Sequence, residues 1–209
     1  MSTVKSKKLQ VGTDATSSNN FTIYQPATPD GTLRIGVGNA DSPTEVGRFD
    51  SNGYVATNAP AFSAYPTAAQ SLSHGTQVIM SANVERFDIG GCFNNTSSTV
   101  TLNGLSVPAY AFCPNVAGYY QVQATTFLNS SAGTIQVNIK KNGAAGVYFC
   151  SSCPNTPNGV GPTVATIVYF NGTGDYVQIS HYQTSGGTVS TLANRPDLIG
   201  VSASLIRAE

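Results

Sequence analysis

The sequence predicts an all-β protein, and three observations carry that expectation. Apolar residues alternate with polar ones over short runs, as in Leu33-Arg34-Ile35-Gly36-Val37 and Ile135-Gln136-Val137-Asn138-Ile139-Lys140. That period of two lays one side of an extended chain against a core. Turn dipeptides separate the runs at Asn103-Gly104, Asn142-Gly143, Asn158-Gly159 and Asn171-Gly172; Asn-Gly suits hairpin turns that need positive φ at both central residues. Almost no helical period persists, so helix is confined to scraps.

Composition narrows the function. Of 209 residues, 10% are charged, 40% are hydrophobic, and the formal net charge is zero. Such a chain is not disordered by composition. It offers no clustered basic face for nucleic acid, and no run of about 18 apolar residues for a membrane helix. No nucleic-acid partner and no membrane insertion are therefore expected. Lys5, Lys7 and Lys8 imitate the charged start of a signal peptide, but Leu9 to Asp14 is not an apolar h-region. Export by that route is not expected, so the sequons at Asn94, Asn95, Asn129 and Asn171 carry little meaning.

The chain divides into residues 1–58 and 59–209. In the first region, Phe21–Tyr24, Leu33–Val37, Val46–Phe49 and Tyr54–Val55 read as strands, with turns at Pro29-Asp30-Gly31 and Ser51-Asn52-Gly53. Its large side chains are few, so its burial must come from other chains. The basic opening reads as a solvated tail or a docking arm. Ala56 to Pro60 reads as a linker.

From Ala61 strands follow closely: Phe62–Tyr65, Gln77–Met80, Arg86–Ile89, Thr99–Leu102, Tyr110–Cys113, Tyr119–Leu128, Thr134–Lys140, Gly146–Cys150, Val164–Phe170, Tyr176–Tyr182 and Ile199–Ile206. About ten short strands make a sandwich or jelly roll. The stretch around Pro114 organises this domain. Proline ends one strand, Gly118 permits a reversal, and the next strand turns Tyr120, Val122, Ala124 and Thr126 to the core. Tyr119, Gln121, Gln123 and Thr125 face the other way.

Candidate chemistry is sparse. Cys150-Ser-Ser-Cys153 has the spacing of a zinc knuckle or redox pair, but Cys92 and Cys113 form no second pair and Pro154 follows at once. Buried thiols or a disulfide are the leading reading for Cys92, Cys113, Cys150 and Cys153. His181, in a strand, reads as packed; His74 is the other histidine. Gly36-Val37-Gly38 reads as loop. Asp88 and Asp175 are candidate calcium ligands without a dense ligand loop. No nucleophile elbow, phosphate loop or carboxylate pair occurs, so no enzyme activity, cofactor, metal or catalytic residue is expected.

The order of motifs carries a resemblance. Pro60 to Tyr65, Phe87 to Phe93, Ala111-Phe-Cys-Pro-Asn-Val-Ala-Gly-Tyr-Tyr120, Lys141-Asn-Gly143, Gly174 to Ile179 and Leu198 to Ile206 together resemble the C1q/TNF-like globular head. The resemblance covers residues 59–209, and Phe112-x-x-Pro-x-x-Gly-x-Tyr120 is its most specific part. It implies a ten-stranded jelly roll packed as a homotrimer and used for binding, with Phe62, Tyr65, Phe112, Gly118 and Tyr120 as core or trimer residues. No collagen-like repeat accompanies it. Lys8 to Ala15, Asn19 to Ile23, Asp30 to Ile35 and Val46 to Phe49 are similar, more loosely, to the amino-terminal part of bacteriophage tail fibres.

The expectation is a trimeric phage fibre, located in the virion and assembled in the host cytoplasm. Its head would bind a host surface receptor, glycan included, through residues the sequence does not identify. Its first region would anchor it to a tail, baseplate or neck protein. The alternatives are a head-decoration or neck fibre without a receptor, and a glycan hydrolase, against which the lack of carboxylate pairs weighs.

Overall fold

The computed structural model describes residues 7–52, 55–128, 133–143, 149–154 and 161–209. Its internal contacts divide the chain into two compact units, Met1–Asn58 and Ala59–Glu209. The Asn158-Gly159 turn, Asn129, and the opening of the strand expected at Gly146–Cys150 lie outside the described residues.

The first unit is an antiparallel meander of β1 (Lys8–Val11), β2 (Phe21–Tyr24), β3 (Leu33–Val37), β4 (Thr44–Phe49) and β5 (Val55–Thr57), in that order across one sheet. The basic opening is neither tail nor arm from Lys8 onward. Lys8–Val11 pairs residue for residue with Tyr24–Phe21 as an edge strand. A four-residue run is too short to show its period in sequence. One short 3-10 turn, Ser17–Asn19, is the sole helical element among the described residues. Beside it the buried Asn20 amide spans Asp14, accepting from its N–H at 2.9 Å and donating to its carbonyl at 2.8 Å.

The second unit packs two sheets face to face. One runs β9 (Val84–Ile89), β6 (Ala61–Tyr65), β19 (Gly200–Ala208), β13 (Gly118–Thr125), β16 (Thr163–Phe170). The other runs β12 (Ala111–Phe112), β17 (Val177–Gln183), β14 (Thr134–Lys141), β15 (Phe149–Pro154), with β8 (Val78–Ile79) also on β17. The chain crosses between sheets at β13 to β14, β15 to β16 and β16 to β17, the wiring of a jelly roll. Two ribbons, β10 (Val100–Leu102) with β11 (Leu105–Val107) and β7 (Ser71–Leu72) with β18 (Val189–Ser190), sit outside the ten strands.

The phase expected for β13 is the phase observed. Tyr120, Val122 and Ala124 are buried, while Tyr119, Gln121 and Gln123 are exposed. The strand stops at Thr125, short of the expected Leu128. Tyr110 is not a strand residue: it takes a positive φ of 53° in the turn before β12. Gly118 is buried at φ 154°, and a Cβ there would strike the Arg207 carbonyl oxygen on β19. Glycine at this reversal lets two backbones approach closely.

The core between the sheets is an aromatic stack. Phe62 lies face to face with Phe93 at 4.3 Å and with Phe112 at 4.7 Å. Phe112, Tyr120 and Phe170 meet edge to face at 5.1 to 5.8 Å, a favoured arrangement of ring quadrupoles. The Tyr120 hydroxyl donates to the Val116 carbonyl at 2.9 Å, closing the corner that precedes β13.

His181 is wholly buried on β17. Its Nδ1 meets Thr126 Oγ1 at 2.5 Å, and its Nε2 has no partner. Burial in this apolar layer lowers its pKa from 6.5 to about 4, so the ring is neutral in the fold. The unfolded chain therefore takes up a proton near pH 6.5 that the folded chain refuses until about 4. This contribution to stability is complete above pH 6.5 and falls by about 3 kcal/mol as pH drops through that window. Asp175 does not share it. Burial alone would raise that carboxyl, but Lys141 and Asn142 donate to it and hold it below its usual 3.8. Glu85, raised by burial and by Asp88, opposes the trend near its own range. Thermal melts at pH 7.5 and 4.5 should differ markedly, and His181→Gln should shrink the difference. An equal difference in both proteins would assign it elsewhere.

Candidate subunit interface

The sheet β9-β6-β19-β13-β16 turns one face to the core and leaves the other open. Backbone register fixes what that open face carries. One row reads Ile89, Ala61, Ser204, Gln121, Ile167 across the strands. The next reads Phe87, Ser63, Ser202, Gln123, Ala165. Neither row holds a charge. Small polar side chains form the floor, and apolar ones stand at both edges.

Phe87 and Ile89 on β9, Tyr119 on β13, Ile167 on β16 and Ile206 on β19 are 40 to 57% exposed. Among the described residues of this unit, the other exposed large hydrophobic is Phe149, on β15 of the opposite sheet. Chance would scatter such residues; concentration on one sheet marks an interaction surface. Between Phe87 and the Gln121–Gln123 stripe lies a depression of about 180 Å³ floored by Ser202 and Ser204.

Charge is confined to the rim. Arg86 lies 5.0 Å over the Tyr65 ring and donates to Ser63 Oγ at 3.1 Å and to the Pro196 carbonyl at 2.5 Å. At the other end Tyr119 and Tyr169 pair at 5.4 Å, and the Tyr169 hydroxyl donates to Glu209 at 2.6 Å. That bond, helped by desolvation, raises the Tyr169 pKa and keeps the phenol protonated.

The expected core or trimer residues separate cleanly. Phe62, Phe112 and Tyr120 belong to the core, as does Gly118 at its corner. Tyr65 is half-buried at the outward parity of β6. The face itself is made by Phe87, Ile89, Tyr119 and Ile167. A signal for them existed: each is a large apolar residue at the outward parity of its strand.

The cysteines do not form one site, and no disulfide joins them. Cys92 and Cys113 are buried, and burial pushes the Cys113 thiol up to about 11. Such thiols are inert packing groups. Cys150 corrects the buried-thiol expectation, since it is exposed. It and Cys153 are three apart on the extended β15, so their side chains leave opposite faces and neither chelation nor bridging follows from their spacing. Cys153 is partly buried and packs on Leu72, Leu128 and Ile135.

The two candidate calcium carboxylates already serve the fold. Asp88 accepts from the backbone N–H of Cys92 and Phe93 at 3.1 and 2.9 Å. Asp175 is ion-paired with Lys141 at 2.9 Å and accepts from Asn142 at 2.7 Å. No cluster of metal-ligating side chains is found among the described residues. Asn94, in a sequon, is buried and its amide donates to the Ser98, Val107 and Pro108 carbonyls, so its role is structural.

Similarity to known proteins lies in the fold. No protein-family model matches the sequence, and no curated protein matches it. Among solved structures, Eiger TNF from S. frugiperda superposes with a TM-score of 0.51 at 10% identity, covering 72% of this chain and 95% of its own. The fold is the TNF-like jelly roll. Murine APRIL at pH 8.5 superposes at 0.50 with 9% identity, over 70% of this chain and 98% of its own. The vertex protein P5 of PRD1 is similar at 0.49 and 16%, over 71% and 98%. The ten strands of the second unit are those of the TNF-like sandwich.

Proposed function

We propose that this chain is a structural protein of a bacteriophage virion, a homotrimeric fibre. Its jelly-roll head meets the host surface, and its first unit joins the fibre to the particle. The observation that supports assembly most directly is the uncharged outer face of β9-β6-β19-β13-β16, edged by Phe87, Ile89, Tyr119 and Ile167. A face of that kind is stable in water when a second copy covers it. Self-association also suits the absence of charge, because symmetry would set like charges against each other. The virion role rests on the tail-fibre-like texture of Lys8 to Phe49. The head would act by binding rather than catalysis, a reading supported by Asp88 and Asp175 being engaged in the fold.

Two measurements test this. Labelling of intact particles with antibody to the chain should decorate the tail fibres. Purified protein added to cells should slow adsorption of whole phage. Label on the capsid or neck together with unchanged adsorption would overturn host binding in favour of a decoration fibre.

A further inference from the structure

The meander of the first unit is amphipathic to an unusual degree. Register places Leu9, Ile23, Ile35 and Gly47 in one row, and Val11, Phe21 and Val37 in the next. Leu33 and Phe49 stand opposite each other on the same face. Leu9, Val11, Phe21, Ile23, Leu33 and Phe49 are all 37 to 59% exposed. The reverse face holds Lys8, Gln10, Arg34, Glu45 and Arg48, where Arg34 bonds Asp30 and also Glu45 at 2.9 Å, and Arg48 lies 3.6 Å from Glu45. The charged groups Arg34, Glu45 and Arg48 of the polar face are thus ion-paired, and the apolar face is bare.

We infer that the apolar face of β1 to β4 is buried against the same face of two further copies of this chain, giving a three-sided shaft of sheets around a common axis. Three arguments choose that occupant. First, the size is large for so small a unit. Four strands about 4.8 Å apart and about five residues long, at about 3.3 Å per residue, make a face of roughly 300 Å². That matches the largest apolar patch on a typical whole monomer, and such patches are often functional.

Second, the face has no charge in its central rows, and Thr44 at the β4 end of one row is their one hydrogen-bonding side chain, so little is there to select a foreign partner. Homotypic packing needs none, and the ion-paired reverse face is left to meet the virion. Third, the copies are already at hand. This argument rests on the trimeric head proposed above. β5 ends at Thr57 and β6 begins at Ala61, a span of at most about 14 Å. A trimeric head therefore holds three meanders at an effective concentration in the millimolar range. Threefold closure follows, because pairing two faces alone would leave the third bare.

Ile35 tests it, since it sits on the central strand at the middle of the face. In full-length protein carrying Cys150→Ser, Ile35→Cys should oxidise to covalent dimers on a non-reducing gel. One thiol in three would be left over. Arg48→Cys, on the reverse face, should stay single. The unsubstituted trimer should also fail to brighten anilinonaphthalene sulfonate at neutral pH. If sedimentation finds a trimer but Ile35→Cys does not cross-link, or the dye binds strongly, this inference fails and the head trimer stands. A monomeric parent protein would overturn both.

Discussion

Tyr120→Ala should unfold the head, or lower its melting temperature by tens of degrees. The side chain is fully buried and touches the core in two chemically different ways. Its ring meets Phe112 at 5.7 Å and Phe170 at 5.1 Å, tying β13 to both β12 and β16. Truncating a buried aromatic costs roughly 3–5 kcal/mol, because the cavity is only partly refilled. Its hydroxyl also satisfies the Val116 carbonyl, and a buried acceptor left alone costs about 1–3 kcal/mol more. Together these rival the whole stability of a typical domain, about 5–15 kcal/mol. Tyr120→Phe separates the two terms. It keeps the ring and loses one bond, so a fall of about 1 kcal/mol is expected. A thermal melt of Tyr120→Ala within a degree or two of the parent would show that the stack does not depend on this ring.

What was legible in the sequence follows from where the information lies. The inward phase of β13 could be read because eight residues alternate and a Pro and a Gly mark the strand's start. β7, β11 and β18 could not, because strands of two or three residues have no period. β1 escaped for the same reason, and its lysines drew the reading toward a tail. Tyr110 looked like strand on composition, yet the turn before β12 imposes a positive φ that a tyrosine seldom takes.

The first region looked poor in large apolar residues when counted along the chain. Register shows that the ones it has share one face, a fact about pairing rather than composition. Phe62 and Phe112 were recognisable as important but not as core rather than interface. Both destinations favour aromatics, and strand parity across neighbours decides between them. The Cys150–Cys153 spacing resembles a metal knuckle on paper only, because a knuckle needs a tight turn, whereas these residues lie on an extended strand.

Phe87→Glu combined with Ile167→Glu should convert the proposed trimer to folded monomers. The two side chains stand at opposite edges of the open face, 47% and 57% exposed within a single chain. In a monomer each glutamate would sit in water, where such changes usually fall within about 0.5 kcal/mol. In the assembly each would lose its hydration against rows that carry no charge, and Arg86 at the rim is already held by Ser63 Oγ and the Pro196 carbonyl. Burying an unpaired charge costs several kcal/mol, and threefold symmetry puts six of them into one trimer. The effect on assembly should therefore be nearly complete while the sandwich itself persists.

Sedimentation at micromolar concentration should show the mass falling to one third, with an unchanged far-ultraviolet spectrum. Phe149→Glu is the control. It places the same charge at an equally exposed aromatic, 48% accessible, on the edge strand β15 of the other sheet, and it should leave the mass as it was. If the double variant remains trimeric while Phe149→Glu dissociates, the subunits meet through the β15 sheet instead. The uncharged face would then be free for the host surface.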